Sequence, residues 1–155
     1  MLPAHQLKIV LVQPEIPQNT GNVARLCEVT GAQLHLVRPL GFFLSERHLK
    51  RAGMDYLNRV DLVLHDDLPA LLTAIGSDPF HLASAKASQS FWQASYQPHN
   101  WLILGRETAG LPPDFLAAHP TRCVQIPMRE NARCLNLATA AGIFLYEALR
   151  QTSAK

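Results

Sequence analysis

The sequence predicts an α/β fold, a mostly parallel sheet flanked by helices on both faces. Three observations carry that expectation. Apolar runs of four or five residues recur along the chain, stretches of helical spacing separate them, and Pro, Gly or Asn punctuates most junctions.

Lys8 to Val12 is β-branched and apolar and reads as a buried strand ended by Pro14 and Pro17. From Thr20 to Gly31 the apolar positions Val23, Leu26, Cys27 and Val29 fall at helical spacing, with Gly31 as the stop. Leu34 to Val37 is a second strand, closed by Pro39. Ser45 can cap a helix running to Ala52, with Arg47, Lys50 and Arg51 on its polar side. Val60 to Leu64 is a third strand, and Asp67 caps a helix through Ile75 that Gly76 ends. Phe80 to Ala83 is a fourth, followed by a polar Ser- and Gln-rich stretch to Asn100. Trp101 to Leu104 is the fifth, and Pro112-Pro113 opens a short helix. Cys123 to Ile126 is the last strand. The stretch from Leu135 to Leu149 then carries a helical stripe of Leu137, Ala141, Phe144, Leu145 and Leu149.

Composition bounds the function. The 155 residues suit one domain spanning 1–155, and the 48% hydrophobic content excludes a disordered chain. A net charge of +2 does not by itself announce a nucleic-acid partner, although charges can cluster. The three cysteines, Cys27, Cys123 and Cys134, form no Cys-x-x-Cys pair, so a reducing cytoplasm fits better than a disulfide framework. Met1 to Gln6 has no basic leader, and no apolar run approaches the roughly twenty residues of a membrane span. The reading is a soluble cytoplasmic protein.

Three loops follow strand ends, where open parallel sheets bind ligands. The first, Gln13 to Arg25, leads into a helix start, and Asn19, Asn22 and Arg25 can converge there; Asn19 or Thr20 can equally be a plain cap. The second, Gly105 to Pro112, has glycine at both ends of Gly105-x-Glu107-x-x-Gly110, which permits close backbone approach or positive φ. It is neither a dinucleotide fingerprint nor a P-loop. The third, Ile126 to Leu137, brings Arg129, Glu130, Asn131, Arg133 and Asn136 before an Ala- and Leu-rich helix. The seven histidines show no ligand spacing, and no serine or cysteine sits in a nucleophile signature, so metal and hydrolytic chemistry are poor fits. His65 beside Asp66-Asp67 reads as a solvated loop residue.

Taken together, Asn19 to Arg25, then Gly105-x-Glu107-x-x-Gly110-Leu111, then Ile126-Pro127-Met128 with Leu135-Asn136-Leu137 resemble the three motifs of the SPOUT RNA methyltransferases. Pro14-Glu15-Ile16-Pro17, Asn19-Thr20-Gly21-Asn22, Arg25-Leu26-Cys27, Arg51-Ala52-Gly53 and Asp55-Tyr56 are similar to the single-domain branch that methylates the 2′-hydroxyl of cytidine or uridine 34 in tRNA. The similarity runs from Lys8 to about Arg150.

The resemblance implies a deep C-terminal trefoil knot and a homodimer whose partner helps complete each site, giving the stripe of the last helix a second use. It implies S-adenosylmethionine as cofactor, S-adenosylhomocysteine as product, no metal, and a tRNA anticodon as substrate rather than DNA or a membrane. The implied cofactor contacts are Ala83, Gly105, Glu107, Ile126, Cys134 and Leu135, with a Cβ at Gly105 expected to obstruct the cofactor and Glu107 organising its loop. Arg25 would act on the ribose hydroxyl while Asn19 and Asn136 hold the first and third loops. Cys134 stands where the family commonly has serine. Arg47, Lys50, Arg51, Arg106, Arg129 and Arg133 are available to phosphates, and His48 or Tyr146 to bases. Methylation at another RNA position, or a silent RNA-binding module, are the competing readings.

Overall fold

Six short strands form one sheet in the order β3-β2-β1-β5-β4-β6, and every pairing is parallel. In this computed structural model, which describes residues 1–51 and 55–153, the elements in chain order are β1 (Lys8–Val12), α1 (Pro17–Thr30), β2 (Gln33–Val37), α2 (Glu46–Arg51), β3 (Leu62–His65), α3 (Leu68–Ile75), β4 (Phe80–Ala83), β5 (Trp101–Leu104), α4 (Pro113–Ala118), β6 (Cys123–Val124) and α5 (Leu137–Ser153). Ala52 and Gly53, part of the quoted resemblance and of the expected end of α2, lie outside the described residues.

Alternating strand residues build two cores. Ile9, Leu11, Leu34, Leu36, Leu102 and Leu104 pack with Val23, Ala24 and Cys27 of α1 and with Ala141, Phe144 and Leu145 of α5. Val10, Val12, Val37, Trp101 and Ile103 face the opposite way, onto Leu71 and Ile75 of α3 and Phe115 of α4. Helices therefore cover both faces, as the strand–helix alternation required. Burying a Leu- or Phe-sized side chain contributes about 1.5–3 kcal/mol, so these faces dominate the stability of the fold.

Several expectations change. Helix α1 starts at Pro17, not Thr20: proline suits the first helical position, where its missing N–H is not needed. Its N-cap is Ile16, so neither Asn19 nor Thr20 is a cap, and the Thr20 hydroxyl is buried without a partner. Gly31 ends the helix as expected, at φ 79° with its N–H on the Cys27 carbonyl at 2.8 Å. The third strand slides to Leu62–His65, which makes His65 a buried strand residue rather than a solvated one. It meets His35 of β2 at 2.8 Å across the parallel pair.

The polar stretch after β4 contributes to the core. Phe91, Ala94 and Tyr96 are buried within it, and Gln151 of α5 holds the Tyr96 N–H and the Ala94 carbonyl at 3.0 Å each. The last strand shortens to Cys123–Val124 because Gln125 turns to bridge Ser90. Finally, the α5 stripe is consumed by the chain's own core: Leu137, Ala141, Phe144, Leu145 and Leu149 are all buried. It is not free for a second copy, and Ile143 and Tyr146 on the same helix are the exposed apolar residues instead.

Strand order positions the site. The chain winds outward from β1 through β2 to β3, then returns on the other side with β5 against β1. At such a reversal the loops leaving the carboxyl ends of the two adjacent strands separate to opposite faces and open a crevice. Here those loops follow β1 and β5, the first two of the three singled out above.

Candidate functional site

Glu107 joins the first two loops. Its carboxylate accepts from the backbone N–H of Glu15 at 2.8 Å and of Ile16 at 3.1 Å, and from Asn19 Nδ2 at 3.3 Å. An acid from the β5–α4 loop thus satisfies amides at the start of α1, where negative charge also meets the favourable end of the helix dipole. Thr108 reinforces the contact by donating to Glu15 Oε1 at 2.7 Å, and Arg106 lies 3.8 Å from the same carboxylate.

Asn19 joins the third loop. Its Oδ1 accepts from Asn136 Nδ2 at 3.0 Å, while Asn136 Oδ1 caps α5 through the N–H groups of Ala138 at 2.9 Å and Thr139 at 3.3 Å. Asn19 is buried, and both ends of its amide are used. Glu107, Asn19 and Asn136 therefore form one hydrogen-bonded chain across segments about ninety to a hundred and twenty residues apart.

The second loop closes on itself. Gly110 takes φ 68°, and its N–H returns to the Arg106 carbonyl at 2.9 Å. A Cβ at Gly105 would lie 2.1 Å from the Gly110 carbonyl carbon and the Leu111 nitrogen. This corrects the reason given for that glycine: its Cβ would collide with the returning backbone of its own loop, before any ligand.

A cavity of about 670 Å³ opens between these loops. Ala83, Gly105, Glu107, Cys134 and Leu135 line it, together with Asn19 and Asn136. Ile126 does not. It sits two residues beyond Val124, on the same face, and packs partly buried against the larger core. Cys134 is exposed, not tucked into the helix start. The sequence reading missed Ser84, Ala85 and Lys86, which also line the cavity. They follow β4 directly, so the rule that ligands gather at carboxyl strand ends could have found them.

Arg25 stands apart from this cavity. It is exposed on α1 and lines a neighbouring groove of about 410 Å³ with Asn22, Leu26, Val29, Ala138 and Thr139. Asn136 belongs to both walls. The arrangement offers a half-open, largely apolar recess and, across one asparagine, a shallower groove with a guanidinium that makes no ion pair among the described residues. Among those residues no group of three or more His, Cys, Asp or Glu could hold a metal ion, and no helix is long and apolar enough to cross a membrane.

Comparison with known proteins adds to this geometry. The model of a family described as the SpoU rRNA methylase family matches residues 6–146. A protein of Burkholderia ambifaria named tRNA (cytidine(34)-2′-O)-methyltransferase is 42% identical over 146 residues, covering 92% of this chain and 94% of its own. A solved structure described by its work on the 2-OH methylation of C/U34 on tRNA superposes with a TM-score of 0.90 at 46% identity, covering 99% of this chain and 100% of that one. An AdoMet-bound rRNA methyltransferase from Sinorhizobium meliloti gives a TM-score of 0.80 at 25% identity, over 97% of this chain and 58% of its own.

Proposed function

The chain belongs to the SpoU rRNA methylase family, and from that premise we propose that it methylates the ribose 2′-hydroxyl of nucleotide 34 in tRNA. The observation that carries the reading is the pair of adjoining recesses that share Asn136.

The larger recess suits S-adenosylmethionine. Its volume lies within the roughly 300–1,000 Å³ of small-molecule sites. Ala83, Leu104, Leu111 and Leu135 offer apolar wall to an adenine, and the Gly105 loop presents backbone close to the chamber. The cofactor supplies a methyl group already activated by a sulfonium, so the protein's share is positioning and the handling of one proton. Arg25 cannot serve as a base, because a guanidinium stays protonated. It instead binds a phosphate beside the target ribose and stabilises charge growing on the 2′-oxygen, the proton leaving to phosphate or water. Asn19, Asn136 and Glu107 hold α1, and so Arg25, against the cofactor loops.

The same reading extends to a cytoplasmic, single-domain enzyme with the trefoil knot of its family and a second copy completing each site. Ile143 and Tyr146 of α5 and Val29 of α1 are exposed apolar residues that suit such a contact.

The test is nucleoside mass spectrometry of tRNA incubated with this protein and isotopically labelled cofactor. Labelled 2′-O-methyl groups confined to nucleotide 34 are expected. Label at another position, or none, overturns the reading.

A further inference from the structure

We propose that Phe43 is a stacking platform for an unpaired RNA base beside the target nucleotide, flanked by phosphate contacts from Arg47, Lys50 and Arg51. The inference rests on the reading that the substrate is RNA, and it assigns residues that the methyl-transfer chemistry leaves unused.

Phe43 is 73% exposed, the most exposed aromatic side chain among the described residues. Its neighbours do not share that fate. Leu40, Phe42 and Leu44 all pack against the larger core, so the segment is anchored and only Phe43 projects. The ring is not loose. His48 lies against it with centroids 5.1 Å apart at 44°, and the Ser45 hydroxyl holds His48 through its Nδ1. The same hydroxyl accepts from the His48 N–H at 3.4 Å, which fixes the start of α2. A two-ring surface is therefore formed before any ligand arrives.

Charge and position point to the occupant. Arg47, Lys50 and Arg51 are exposed on α2 and make no ion pair among the described residues. Aromatic rings interleaved with cations suit single-stranded nucleic acid, whose bases stack while its phosphates are neutralised. The segment is also seated on the site. The Gly41 N–H donates to the Pro14 carbonyl at 2.9 Å, and a Cβ on Gly41 would lie 2.6 Å from the Glu15 carbonyl oxygen. Glu15 in turn is held by Glu107 at the cavity wall.

The experiment uses the full chain and an RNA anticodon stem-loop carrying 2-aminopurine next to the target nucleotide. The unaltered protein should quench that fluorophore, and Phe43→Ala should abolish the quenching. With tRNA, Phe43→Ala should raise KM about tenfold, the effect of losing one stacked base, with a much smaller change in kcat and none in cofactor affinity. Phe43→Trp should restore both readouts. Lys50→Ala should lower the salt slope of RNA binding by about one. Unchanged quenching and KM in Phe43→Ala would overturn the proposal. So would a shift of that variant's oligomeric state in sedimentation, which would assign the ring to a contact between copies. Failure of the unaltered protein to methylate any RNA would bring down the underlying reading and this one with it.

Discussion

Two chains of polar side chains run through this fold, and they do different work. Glu107–Asn19–Asn136 ties together three loops that are remote in sequence. Asp61–Gln33–His35–His65 ties together only the neighbouring strands β2 and β3, with Gln33 donating to Asp61 at 2.5 Å and His35 meeting Gln33 Oε1 at 2.6 Å. The first lines a cavity; none of the four residues of the second lines either recess. Polar connectivity alone therefore does not mark a site. What marks it is connectivity between segments that the sheet's reversal brings together, beside a space that can hold a ligand.

The largest effect is expected from stopping the second loop from closing. Gly105→Ala puts a carbon where the backbone of Gly110 and Leu111 already stands, so cofactor affinity by calorimetry should fall by about a hundredfold or more. Asn19→Ala is the next largest. It leaves Asn136 Nδ2 without its acceptor and takes one of two donors from Glu107 Oε1, which keeps the Ile16 N–H, and should cost about 1–3 kcal/mol of stability in denaturant melts. The rate of methyl transfer should fall with it by about ten- to a hundredfold, because α1 carries Arg25.

The histidine chain should answer differently, in stability and not in rate. Burial, with help from His65 and Lys8, lowers the His35 pKa from 6.5 to about 4. The unfolded chain takes up a proton below about pH 6.5 that the folded chain refuses until about pH 4. Stability should thus fall as pH drops through that window, His35 contributing roughly 3 kcal/mol beside His81, whose pKa burial also lowers to about 4. His35→Gln should lessen that slope, leaving the part due to His81, in melts recorded from pH 7 to pH 4.5, with kcat at neutral pH nearly unchanged. The smallest effect is expected at Cys134. Cys134→Ser exchanges a thiol for a hydroxyl of similar size on an exposed wall position and should alter cofactor affinity less than about threefold.

The sheet was legible because its signal is local. Lys8 to Val12, Phe80 to Ala83 and Trp101 to Leu104 are short, mainly apolar runs followed closely by Pro, Ser or Gly, and all three form strands at those bounds. What escaped depends on tertiary contacts. Nothing near Pro17 says that Glu107, some ninety residues later, will satisfy the amides before α1. Ser- and Gln-rich composition hid the burial of Tyr96, whose backbone N–H is satisfied by Gln151 of the last helix. The motif residues Asn19, Glu107 and Asn136 were legible as types at a spacing. Their hydrogen-bonded chain was not, and neither was the separation of Arg25 from the cavity into a groove of its own.

That separation divides the labour of the site: one recess for the cofactor, an adjoining groove for the ribose, and Arg25 in the groove alone. Arg25→Ala tests it most directly, with cofactor affinity and the single-turnover rate of tRNA methylation measured on the same preparation. Affinity should stay within about twofold of the unaltered protein while the rate falls by about a hundredfold, the scale of one lost transition-state contact. A normal rate, or a cofactor affinity that collapses along with the rate, would contradict it.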